Sequence, residues 1–364
     1  MNHNHIVKED LANIYSKLSK EELNKLKSST ILITGCGGFL GFYFMQFFSY
    51  FSSQLQIKKI IGLENFLTGD GKQWMQELEA NYPDLISLHE FDVVRHELDT
   101  IPGIDEADII IHLASIASPT FYRIYPLETL DANIIGLRKL LDKYAEKRVK
   151  GFLFFSSSEI YGDPFPEFIP TKEDYRGNVA TIGPRACYDE AKRFGETLCY
   201  VFAQKYQMPI GVVRPFNNFG PGMSLNDRRL PADFAQAVVN GKDIEIFSDG
   251  TPTRTFCYIT DAIQGYLKTL LHGHFDIFNI GMDKPEISVA DFARLFKKQG
   301  EQVFDYTGKV DFKLSQDKDY MTDNPNRRCP DISKAKAILD YQPSISVEEG
   351  IGRYLSFLKA DIKS

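Results

Sequence analysis

The chain has 364 residues, 43% of them hydrophobic and 25% charged, the composition of an ordinary globular protein, which excludes disorder on a large scale. Its formal net charge of −7 excludes a surface built for nucleic acid or anionic lipid, because such binding needs a concentrated positive field. The five cysteines are odd in number, widely spaced and without any CxxC pair, so reduced thiols in a cytoplasmic protein are expected and no metal site is readable.

The opening MNHNHIVKED has neither a basic n-region nor an apolar h-region, and His3 and His5 read as part of a polar terminus. Leu11, Ile14, Tyr15, Leu18, Leu23 and Leu26 fall at helical spacing, with Ser19–Glu22 as an N-cap, so one or two short helices precede the main fold. The stretch SSTILITGCGGFLGFYFMQFF then reads as a strand, a glycine-rich turn and a helix opening on Phe39 and Leu40. Gly35, Gly38 and Gly41 form GxxGxxG, a pattern that lets backbone approach a pyrophosphate. Leu40 breaks the GxGxxG fingerprint, so the glycines alone are a weak sign. The apolar run Phe39 to Phe51 is too short for a bilayer and reads as a buried helix.

A second strand, Lys59 to Leu63, ends in Glu64 and Asn65, where an acid meets ribose hydroxyls and favours NAD over NADP. A third, Leu85 to Phe91, ends in Asp92 and Val93; Asp92 suits either an adenine contact or a strand-end cap. A fourth, Asp108 to His112, runs into Leu113, Ala114 and Ser115, small enough to lie along a dinucleotide, with His112 a satisfied strand-end residue. A helix is expected over Leu127 to Lys147 and a fifth strand over Gly151 to Phe155. The fifth strand delivers Ser157, Ser158 and Glu159 to the carboxyl end, as functional groups or merely as caps. After a long loop, Asp163 to Pro184, comes GPRACYDEAKRFG, in which Tyr188 and Lys192 stand one helical turn apart on the same face. A sixth strand, Pro209 to Arg214, leads into PFNNFGPGM. From Leu230 the pattern shifts to shorter elements: strands at Ile244 to Phe247 and Thr255 to Tyr258, a helix at Asp261 to Leu271, a central strand at Asp276 to Ile280, and a closing helix near Val347 to Leu358.

These elements predict an α/β protein: a doubly wound parallel sheet with a smaller, mixed α/β C-terminal substrate-binding region. The division is a helical extension at 1–29, a nucleotide-binding domain at 30–229 and a mainly substrate-binding region at 230–364, with about 255–285 returning to the sheet. No internal repeat or flexible linker is readable.

GCGGFLG, HLASIASP, SSSEIYG, the Tyr188/Lys192 pair, RPFNNFGPG and TRTFCYITD, in that order, resemble the extended short-chain dehydrogenase/reductase superfamily, whose sheet is of the Rossmann type. SSSEIYGDP, GPRACYDEAKRFGETLCY and NPNRRCPDISKAKAIL look most like the UDP-glucuronate decarboxylases within it. The resemblance implies a bound NAD that takes and returns hydride, with Tyr188 the base at the sugar 4-hydroxyl, Lys192 favouring its phenolate, and Ser157 orienting the hydroxyl. It implies that Arg254 holds the substrate carboxylate, that Glu159 with Ser158 manages protons at carbon 5, and that Asn217, Arg229 and Arg328 line the nucleotide half. It also implies a homodimer formed through helices beside the sheet. Glu128 and Asp131, where the decarboxylases usually carry lysines, and GPG at Gly220 to Gly222 depart from the pattern and remove positive charge. A nucleotide-sugar 4,6-dehydratase or 4-epimerase shares the same oxidation, but a dehydratase normally has Asp where Ser158 stands. Intact Tyr188, Lys192 and Glu159 speak against a non-catalytic binding protein.

Overall fold

The computed structural model describes residues 4–69, 71–313, 322 and 324–362. Its centre is a parallel sheet of β1 (Thr30–Thr34), β2 (Lys59–Glu64), β3 (Ile86–Glu90), β4 (Ile109–His112), β5 (Gly151–Phe155), β6 (Ile210–Pro215) and the strand Asp276–Ile280. Across the sheet the order is Asp276–Ile280, β6, β5, β4, β1, β2, β3. Strand order reverses between β1 and β4, and a crevice opens beyond the carboxyl ends at such a point. Ile31 to Ile33, Ile109 to Ile111 and Phe152 to Phe154 are wholly buried, as continuous apolar strands covered on both faces must be.

Asp276–Ile280, expected in the centre, lies at an edge. The helix Ser333–Leu339 covers it, and Lys334 donates to the Ile277 carbonyl at 2.9 Å. A strand with such a cover carries the same apolar residues as a central one.

Three other expectations are corrected. The strand expected over Thr255 to Tyr258 shortens to Cys257–Tyr258, which pairs with Asn218–Phe219, and a separate strand before it, Thr253–Arg254, pairs with Ile287–Ser288 and Arg327–Arg328. The backbone changes partner there, Thr255 N donating to Arg328 O and Cys257 N to Asn217 O. The helix read over Leu127 to Lys147 comprises Pro126–Asp131, a π turn at Ala132–Gly136 and Leu137–Tyr144. At Gly136 a Cβ would stand 2.7 Å from the Val93 side chain. His112, expected to be satisfied, bonds Thr34 Oγ1 through Nδ1 at 2.8 Å, while its buried Nε2 has only a poorly aligned approach to the Ala132 backbone.

The extension forms α1 (His5–Ser16) and α2 (Lys20–Leu26), the latter opened by a full capping box between Ser19 and Glu22. The Phe39 run forms α3 (Phe39–Tyr50), buried on nearly every face. His3 lies outside the described residues. Helix α1 packs against α3, the helix Ile259–Leu270 and the closing helix Val347–Ile362. Asp10 anchors it: one oxygen accepts from the Tyr43 and Tyr258 hydroxyls at 2.6 and 2.8 Å, the other from Arg353 at 2.7 Å. No helix among the described residues is long and apolar enough to cross a membrane.

Candidate active site

A cleft of about 1080 Å³ runs from the glycine turn over the carboxyl ends of the central strands to Arg254 and Arg328. Every residue expected at a cofactor, substrate or catalytic position lines it. At the glycine end the floor is bare backbone. Gly35 has φ +69 and a Cβ there would lie 2.7 Å from Ala114 N; a Cβ on Gly41 would lie 2.3 Å from Cys36 O. Glu64 accepts from Gly37 N at 2.8 Å through one oxygen and from Asn65 N and Phe66 N through the other, so it also ties the turn to β2. Burial pushes its carboxyl up against those three bonds. Asp92 accepts from Val94 N and Arg95 N, and therefore caps its strand while lining the cleft. Ser115 accepts from Asn133.

Tyr188 and Lys192 enter from the helix Ala186–Tyr206, one turn apart, both buried. The Tyr188 hydroxyl hydrogen-bonds Ser157, and Lys192 Nζ donates to the Phe155 carbonyl at 2.6 Å, 5.5 Å from the Tyr188 ring. Burial pushes the Tyr188 phenol up to about 12, with the Ser157 bond pulling the other way, and lowers Lys192 to about 7. Without a further positive charge, this tyrosine is a phenol at neutral pH.

Across the cleft stands a cluster of opposite character. Arg328 grips Glu159 with both terminal nitrogens, and Arg185 reaches the same carboxylate at 2.5 Å. Burial raises the Glu159 carboxyl, but the two guanidiniums outweigh it and hold the group ionised. Glu159 is thus a fixed anion in this geometry, not a proton donor. Among the described residues Arg254 meets no carboxylate at hydrogen-bond distance; its terminal nitrogens donate to the carbonyls of Thr253, Pro325 and Asn326 and to Asn324 Oδ1. Burial, then Arg328, lowers it to about 9. Arg229 forks onto Asp227, and Asn217, at φ +43, donates to Thr255 O. Ser158 is buried in the short turn after β5.

Residues 31–281 match the family described as NAD dependent epimerase/dehydratase. The chain belongs to that family. It is 35% identical to UDP-glucuronic acid decarboxylase 1 of Xenopus tropicalis, over 94% of this chain and 75% of that protein. To UDP-glucuronic acid decarboxylase 1 of Arabidopsis thaliana it is 34% identical, over 91% and 70%. Among solved structures, UDP-glucose 4-epimerase from Thermotoga maritima superposes with a TM-score of 0.76 at 25% identity, covering 92% of this chain and 99% of that one.

Two residues of this family member's cleft were missed in the sequence. Arg185 lies three positions before Tyr188, a spacing that shares its helix face, so periodicity held the signal. Tyr122 stacks on the Tyr188 ring, centroids 5.1 Å apart at 12°, and its buried hydroxyl has no hydrogen-bond partner. No local pattern marks it.

Proposed function

We propose that the protein is an NAD-dependent nucleotide-sugar decarboxylase that converts UDP-glucuronate to UDP-xylose through a 4-keto sugar. The observation that carries this reading is the arginine cluster. Arg185, Arg254 and Arg328 are buried around one carboxylate, and Arg254 donates to neutral acceptors among the described residues, so an incoming carboxylate finds a positive charge to pair with. Glu128 and Asp131 line the same cleft but contribute no cation there. The relatives named above, which carry the decarboxylase name, support the same substrate.

The glycine floor and the acid at the end of β2 suit a dinucleotide, held by Gly35, Gly38, Phe39, Leu40 and Gly41, with Glu64, Asn65, Asp92, Val93, Leu113, Ala114 and Ser115 along it. NAD, when bound, supplies a two-electron acceptor that gives back what it takes, and a positive ring. Tyr188 removes the 4-hydroxyl proton as carbon 4 is oxidised and returns it when the ketone is reduced. Ser157 orients that hydroxyl, and Lys192 favours the phenolate. The carboxylate, now β to a ketone, leaves as carbon dioxide with its bonding electrons delocalised onto the ketone oxygen, and a proton taken up from water at carbon 5 converts that enolate back to the ketone before carbon 4 is reduced. Glu159, with Ser158 beside it, accepts hydrogen bonds near carbon 5 and fixes the arginines. Asn217, Arg229 and Arg328 hold the nucleotide half.

The chain is further read as a cytoplasmic homodimer, divided at about residues 29 and 229. Five free cysteines support the first. Exposed Leu127, Ile135, Phe194 and Val201 on adjoining helical segments support the second. Incubation with UDP-glucuronate tests the activity: equimolar carbon dioxide and UDP-pentose are expected. Inversion without carbon dioxide, or turnover of neutral nucleotide hexoses only, overturns the reading in favour of an epimerase or dehydratase.

A further inference from the structure

Outside the cleft, the helix Ile259–Leu270 ends and the chain turns through His272, Gly273 and His274 into the edge strand Asp276–Ile280. Gly273 has φ +91, and the turn folds the two imidazoles together with ring centroids 3.8 Å apart. The ligating atoms of His272, His274 and Asp276 all lie within 4.8 Å of one another. His272 Nε2 is buried without a hydrogen-bond partner, and Asp276 Oδ2 is 3.8 Å from it, beyond bonding range. The other oxygen of Asp276 is fixed by Ile277 N at 2.8 Å and by the Lys334 ammonium.

We propose that His272, His274 and Asp276 form a site for a divalent transition metal, with Zn²⁺ as its ion. Two imidazoles and a carboxylate are a donor set that Zn²⁺ favours, with water completing a tetrahedron. Bonds of about 2.0–2.1 Å require the ligand atoms to close to roughly 3.3 Å from one another; His274 is exposed and its ring can turn, and the 3.8 Å between His272 Nε2 and Asp276 Oδ2 must shorten by about 0.5 Å. A metal would give the orphaned His272 nitrogen the partner it lacks. Lys334 is the outer partner that orients the carboxylate, as such groups do around bound zinc. Lys25, whose Nζ donates to Leu271 O at 3.0 Å, and Lys334 place positive charge nearby, so the affinity is lower than that of a closed four-ligand site. Asp276 opens its strand, at the end of the sheet opposite the crevice. The ion there pins a helix terminus to an edge strand and takes no part in sugar chemistry, so the inference does not rest on the proposed activity.

The full chain, stripped with a chelator, is titrated with Zn²⁺ by calorimetry and with Co²⁺ by visible absorption. One ion per chain, tetrahedral Co²⁺ bands and a higher melting temperature with Zn²⁺ are expected. His274→Ala, at an exposed position, should weaken binding by at least roughly a hundredfold, since outer partners alone are worth about 10–100-fold. Lys334→Met should keep the tetrahedral bands while shifting the affinity. Absence of Zn²⁺ binding at micromolar concentration overturns the proposal, as does binding by His274→Ala and Asp276→Asn that equals the unaltered chain.

Discussion

Lys192 and Arg254 are both buried cations lining one cleft, and both are lowered, to about 7 and about 9, yet their surroundings differ. Lys192 has a backbone carbonyl, the Tyr188 and Phe154 rings, and, among the described residues, no carboxylate within salt-bridge distance. Arg254 stands beside a network of two more arginines, Glu159 and Asp189. The tyrosine end is kept poor in charge, so a charge arriving there acts at close to full strength in a weakly screening interior. The arginine end is instead held assembled before substrate arrives, with Glu159 keeping Arg185 and Arg328 in place.

The largest effect that could separate the two ends is on rate. Tyr188→Phe should slow carbon dioxide release by roughly 10²–10⁴-fold while the melting temperature stays unchanged, because only one hydroxyl is lost. Turnover close to that of the unaltered chain would remove Tyr188 as the base. Next in size, Arg328→Ala leaves the Glu159 carboxylate short of its bidentate partner and should destabilise the fold by about 3–5 kcal/mol in denaturant titration. Adding Glu159→Gln should restore part of that loss; a strictly additive pair would mean that the cluster does not act as a unit.

The two ends should also respond to pH in different ranges, stability rising with pH at both. The folded Lys192 titrates near 7 and the unfolded one near its ordinary 10.5, so between these values the unfolded chain binds more protons and stability from this group rises with pH. Lys192→Met should therefore be more stable than the unaltered chain below pH 7, by a few kcal/mol, with the advantage fading towards pH 10. Glu159, held below its ordinary 4.5, contributes stability that is present above that value and lost as pH falls. Glu159→Gln should lack that acid limb; an identical limb would show that its ion pairs are not formed. The smallest effect lies outside both ends: Ser19→Ala removes the α2 cap, at a cost of about 1 kcal/mol and with no change in turnover.

What was legible in the chain followed from local repetition. All seven sheet strands, the glycine turn and the Tyr188/Lys192 face depend on spacing within a few residues. The Glu159 to Arg328 pair joins positions 169 apart, and no spacing rule reaches that far. The acceptors at 324–326 that Arg254 meets are likewise remote from it in sequence, so no local pattern announces them. The edge strand was placed centrally because apolar content reports burial, not position in a sheet.

Asp10 binds Tyr43, Tyr258 and Arg353 at once, and thereby joins the beginning, middle and end of the chain. Its guanidinium partner among the described residues lies 343 positions further along the chain and is made much later. Until then, seating Asp10 means burying a carboxylate with hydroxyls alone, and burial by itself pushes that carboxyl towards its neutral form. Helix α1, although made before every element it packs against, therefore docks late, and arrival of the helix Val347–Ile362 is the event that fastens it.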